Sequence, residues 1–300
     1  MNPSPTCLAA VLLLAAPAFA ATPIDETRPL AADGKVRIEN PSGEVIVRTW
    51  DRPEVRIVGS LGEGSEKRIV QGGARDLAIE IRSTRQGGWF GWGGGKSAPT
   101  RLEVTLPARA SLEVDAVSAG VDVTGTGGRT LSLASVSGDV KVRHARAGDA
   151  DFRTVSGDLH ADLATQALTA DSVSGNVRIT GRVGGRVQLN TVSGDASVEA
   201  GQVERLGMNT VSGNGDMKAA LAASGRIQAD TVSGDLTLML PAATSARLQV
   251  ASFSGDISSP VGKVQTERHG PGKRLETRLG TGSGAINLES FSGDVRIVLE

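Results

Sequence analysis

The residues with chemical potential recur as one short motif. Ser-Gly-Asp or Ser-Gly-Asn begins at Ser137, Ser156, Ser174, Ser193, Ser212, Ser233, Ser254 and Ser292, with spacings of 19, 18, 19, 19, 21, 21 and 38 residues. A carboxylate or amide therefore returns once per period: Asp139, Asp158, Asn176, Asp195, Asn214, Asp235, Asp256 and Asp294. Such a column could ligate calcium. It could equally mark tight turns, with Gly tolerating positive φ and the polar side chains satisfying backbone N–H groups. We read turns. Asn interrupts the charge, and the tandem nonapeptide of calcium-binding β-rolls is absent. The sequence implies no metal site and no cofactor.

A second column precedes each motif Ser by two places: Ser135, Thr154, Ser172, Thr191, Thr210, Thr231, Ser252 and Ser290. Its hydroxyls could satisfy one another and the turn. A sharper reading is a flat recognition face for a repetitive surface such as a glycan, with Thr154, Thr191, Thr210 and Thr231 as contacts. The columns four and six places after the motif Ser mix signs, from Lys141, His160 and Arg178 to Glu199 and Lys218. They read as a solvated face. The other candidate contact is Trp89, Phe90 and Trp92, set in the glycine-rich run from Gly87 to Lys96. Aromatic side chains on such a loop suit a partner, a glycan or a lipid interface, and could equally cap an open end of the repeat.

Catalytic chemistry is not legible. His144 and His160 sit at different offsets in their periods, and His269 lies outside the regular array, so the three do not converge. No H-E-x-x-H, G-x-S-x-G or phosphate-binding loop occurs. The chain reads as non-enzymatic, with no catalytic residues. A polysaccharide-active β-helix enzyme is the rival, and it would need a compact acidic cluster in a groove.

These residues must be positioned by strands. Leu131, Leu133 and Val136 precede the first turn and Val140 and Val142 follow it; Val187, Leu189 and Val192 repeat the pattern, as do Leu248, Val250 and Phe253. Period-two alternation between Gly-containing turns predicts an all-β, single-rod β-solenoid (β-helix) of about nine coils, each of 18–21 residues. With coils ~4.8 Å apart, the rod would be on the order of 40–45 Å long. The Val or Phe before each motif Ser is assigned to the inward column. Residues 1–20 read as a signal peptide ending in Ala18-Phe19-Ala20. Residues 21–110 form a strand-rich N-terminal section, and 111–300 the repetitive solenoid, with a hairpin insertion near 263–279.

Composition agrees with that picture. The 300 residues include 39 glycines, three Trp, five Phe and no Tyr, which suits a narrow core of small and branched side chains. A net charge of -1 gives no general attraction to nucleic acid. The one cysteine, Cys7, falls within the leader, so the mature chain would rely on neither disulfides nor thiolates.

The sequence also resembles a known family. Ile38-Glu39-Asn40-Pro41-Ser42-Gly43, the stretch Leu102 to Pro107 and the Val-Ser-Gly-Asp coils look like the toastrack family of bacterial envelope proteins, also labelled putative adhesins. The resemblance spans roughly residues 30–300. It implies a β-solenoid outside the cytoplasm, in the periplasm or at the cell surface, with no established enzymatic activity. The partner would be an envelope component: a glycan, a lipid surface or a protein. Relatives associated with envelope-stress sensing imply a protein partner as the alternative. No transmembrane segment is expected in the mature chain.

Overall fold

The computed structural model describes residues 22–62, 66–83, 99–266 and 272–300. Among these the chain forms strands and turns and no helix. The strand Val177–Ser193 shows how one period folds. Val177 and Ile179 are buried while Arg178 faces out, the alternation a pleated strand imposes. The strand then bends, and its register to the next coil slips between Ile179 and Arg186. Gly181 and Gly185, at φ of 108° and 60°, supply a backbone that other residues rarely adopt. A second arm buries Val187, Leu189 and Thr191 before the Ser193-Gly194-Asp195 turn starts the next coil.

Equivalent residues pair in parallel. One ladder runs Leu159, Val177, Ala196, Gly215, Leu236, and the other Leu168, Val187, Leu206, Ile227. Like therefore packs on like, and the interior is a continuous aliphatic cluster. Phe152 is the one aromatic residue among its described members. The composition had implied such a core, since stacked coils leave room between two arms for branched aliphatics rather than rings.

The coils do not stack in strict sequence order. The strand Gly284–Ser292 lies between Gly215–Ser233 and Ala246–Ser252, parallel to both. Its continuation Val295–Leu299 lies between Leu236–Leu240 and Ile257–Ser258. The spacing of 38 residues before Ser292 is thus not two consecutive periods: the chain passes beyond this position and returns to fill it. The other end repeats the device. Lys35–Trp50 is flanked by Ser111–Thr124 on one side and by Asp76–Ser83 and Thr100–Pro107 on the other.

Antiparallel strands close both ends. Lys273–Leu279 covers Ala246–Ser252, and Gln265–Thr266 pairs with its start. At the opposite end Glu66–Gly72 covers Asp76–Ser83, Glu54–Leu61 covers Thr100–Pro107, and Thr22–Pro29 covers Glu54–Leu61. Reversal of direction and side chains such as Arg68, Lys273 and Arg274 interrupt the parallel stack. Without them its edges would offer a template for another chain.

Candidate docking groove along the repeat

Each motif builds the same corner. Asp158 Oδ1 accepts the Asn176 backbone N–H at 2.9 Å, and Asn176 Oδ1 accepts that of Asp195 at 3.1 Å. Asp195 Oδ1 accepts the Asn214 N–H at 2.8 Å, and Asn214 Oδ1 the Asp235 N–H at 3.0 Å. The relay passes to Asp294 and then Asp256, both at 2.8 Å, following the spatial order of the coils. Asp and Asn therefore perform one structural task with one oxygen. Among the described residues no group of three or more His, Cys, Asp or Glu is placed to hold a metal ion.

The motif glycine answers to contact between coils more than to φ. A Cβ on Gly157 would lie 2.2 Å from the Gly138 carbonyl oxygen, although Gly157 has no positive φ. On Gly194 it would lie 2.5 Å from the Gly175 oxygen, and on Gly213 2.2 Å from the Gly194 oxygen. Only a hydrogen fits.

The hydroxyl column points into this corner. Thr154, Thr191, Thr210 and Thr231 are 3%, 4%, 3% and 6% exposed. Thr191 and Thr210 donate to the turn carbonyls of Gly194 and Gly213 at 3.5 and 3.4 Å, and Ser172 donates to that of Gly175 at 3.0 Å. The hydroxyls of Thr154, Thr231 and Ser290 have no hydrogen-bond partner. The hydroxyls of the expected recognition column are thus buried against the turn, and the residues that carry them, Thr154, Thr191, Thr210 and Thr231, also line the groove described below. Strand alternation is the cause. Leu131 and Leu133 are inward, so Ser135 is inward and Val136 must face out.

What the stacked coils expose instead is an apolar ladder. Val117, Val136, Val155, Val173, Val192, Val211, Val232, Phe291 and Phe253 succeed one another from coil to coil, each between 42% and 57% exposed. The assignment of this column to the interior is corrected with the same argument. Phe253 and Phe291 stack at 4.9 Å between centroids and 9° between planes, as in-register parallel strands require. Monomeric soluble proteins seldom expose a contiguous apolar stripe of this kind without a use for it.

A groove runs beside the ladder. Val155, Val173, Val192 and Val211 form one wall, and Arg153, Asp171, Asn190 and Asn209 the other, around about 520 Å³. Past Asn209 and Thr210 it continues for about 430 Å³ along Asp230, Val232, Glu289, Phe291 and Phe253, as far as Lys273. The polar wall is bonded to itself: Asn190 Nδ2 donates to Asp171 Oδ1 at 2.7 Å, and Asn209 Nδ2 to Asn190 Oδ1 at 2.8 Å. Further from the ladder, burial raises the carboxyl pKa of Asp151 against the opposing pull of Arg153. Lys273 closes the far end through an ion pair with Asp256.

The remaining sequence candidates lie elsewhere. Trp89, Phe90 and Trp92 fall outside the described residues, as does His269. His144, at φ 51°, places Nδ1 3.0 Å from Asp162 Oδ2 on an exposed surface, and His160 faces solvent on the neighbouring column. The columns headed by Lys141 and Arg143 face outward as read, with Arg143 paired to Asp122. Sequence reasoning missed the groove because it placed the Val column inside. The signal was present: in Leu131, Leu133, Ser135, the hydroxyl keeps the inward phase and the valine breaks it.

These features define an all-β repeat protein whose turns stack into one continuous corner. Residues 34–298 match the family described as Toastrack DUF4097, and the chain belongs to that family. No curated protein matches it. Two similar solved structures are both from Parabacteroides distasonis ATCC 8503. A "putative lipid binding protein" is 12% identical, aligned over 92% of this chain and 97% of that one, with a TM-score of 0.51. A "putative adhesin" is 14% identical over 93% of this chain and 98% of that one, with a TM-score of 0.50. At such identities the likeness is one of fold.

Proposed function

We propose that the chain is an exported, non-enzymatic cell-envelope protein that recognises a surface in adhesin-like fashion through its repetitive β-solenoid face. The observation that carries this reading is the uninterrupted Val/Phe ladder with its groove. The ladder offers the same contact once per coil, so affinity sums over many weak contacts. The family membership and the solved relatives' names support it, as does the leader-like sequence of residues 1–20.

Co-sedimentation of the chain beginning at Ala21 with sacculi, outer-membrane vesicles and neutral or anionic liposomes tests this function. The wild type is expected to sediment with at least one fraction. A Val173→Thr/Val192→Thr/Val211→Thr/Val232→Thr variant, which keeps shape and β-propensity, is expected to lose most of that binding. A Trp89→Ala/Trp92→Ala variant run alongside reports on the aromatic contact expected from the sequence. Absence of the wild type from every pellet contradicts surface recognition.

A further inference from the structure

The groove's charge selects its occupant. On the turn side of the apolar ladder, three residues further along each coil, come the motif carboxylates, including Asp158, Asp195 and Asp235. On the other flank, from Asp171 onward, stand Asn190, Asn209, Asp230 and Glu289. Cations line the groove at its two ends, Arg153 at one, ion-paired to Asp151 and Asp171, and Lys273 with Arg274 at the other. Between them, from Val173 to Phe291, no cation stands in either flank column, although the whole chain has a net charge of only -1. Nor is the negative charge required by the turn. Asn176 and Asn214 make the same Oδ1 bond to the next coil as their aspartate neighbours do. The carboxylate charge is therefore surplus to folding and available to a ligand.

Resting on the surface-recognition reading, we propose that this groove docks a cationic amphipathic polypeptide segment. Its apolar side chains lie against Val173, Val192, Val211 and Val232, and its Lys or Arg side chains reach the carboxylates on either flank. A second copy of this chain would set acid flank against acid flank. An anionic lipid surface meets the same sign. An uncharged glycan or acyl chain could use the apolar wall but would gain nothing from the carboxylates. Charge complementarity of this kind governs partner choice and encounter rate.

The test is fluorescence anisotropy with labelled (Leu-Lys)6 and (Leu-Glu)6 peptides, which when extended span roughly 40 Å, the length of the ladder. Oligolysine of equal length is the control for charge alone. The wild type is expected to bind (Leu-Lys)6, more weakly as salt rises, and to bind (Leu-Glu)6 and oligolysine at least about tenfold more weakly. Asp158→Asn/Asp195→Asn/Asp235→Asn keeps every turn bond and is expected to cost about tenfold or more, as is the four-valine threonine variant. Any one of three results overturns the proposal: equal binding of the two Leu peptides, equal binding of oligolysine, or no loss in either folded variant. Sedimentation with an envelope fraction but no peptide binding defeats this inference and leaves surface recognition standing. Peptide binding with no sedimentation does the reverse.

Discussion

At each corner one side-chain oxygen and one missing Cβ hold neighbouring coils together, and the two can be separated by mutation. Asp195→Asn keeps the acceptor for the Asn214 N–H and is expected to change stability by less than about 0.5 kcal/mol. Asp195→Ala removes it and is expected to cost about 1 kcal/mol. Gly157→Ala drives a methyl into the Gly138 carbonyl oxygen and is expected to cost about 2–3 kcal/mol. Urea titrations of the three variants check the order; a Gly157→Ala as stable as wild type would remove the close-stacking argument. A separate residue-level effect concerns acid. Lys35, at 2.5 Å, and Arg37, at 2.8 Å, hold the Glu113 carboxyl below the usual carboxylate range, chiefly through the Lys35 hydrogen bond. A depressed folded-state pKa means full stabilisation above the unfolded value of roughly 4.3, lost as pH falls through the folded value. Thermal melts across that range are expected to show a shallower acid decline for Glu113→Gln than for wild type.

At the scale of elements, the two out-of-order coils turn a stack that would fray from its ends into one that is locked near them. Removing residues 284–300 takes out a strand pair that hydrogen-bonds on both sides, leaving Gly215–Ser233 and Ala246–Ser252 without a neighbour between them. That truncation is expected to lower the melting temperature by more than 10 °C, on the order of what losing several kcal/mol does to a domain of this size. A chain that merely loses its last strands, with the remaining transition unchanged, would contradict the intercalated order. The coil repeat and most inward positions were legible in the sequence, because glycine-punctuated alternation leaves little choice of element. Leu168, Val187 and Ile286 take their inward places as read. The intercalation was not legible. Ser292 carries the same turn wherever its coil is inserted, and only pairing partners distant in sequence decide that.

At the scale of the molecule, function depends on which side of a strand faces water, and there the sequence misled for an identifiable reason. Valine beside serine invites burial of the valine. The corner reverses that preference, because a small hydroxyl fits where the core narrows and can bond the turn, whereas the valine has a stacked neighbour above and below. The result is a line of half-exposed apolar side chains between polar flanks, the feature on which the proposed recognition rests. The measurement that tests it most directly is site-specific photocrosslinking in the presence of the envelope fraction that retains the chain. A benzophenone side chain at Val192, on the ladder, is expected to yield crosslinked product, while the same group at Arg178, facing solvent on the other arm of the coil, is expected to yield little. Crosslinking confined to Arg178, or none from Val192, would contradict the assignment of the Val/Phe ladder as the contact surface.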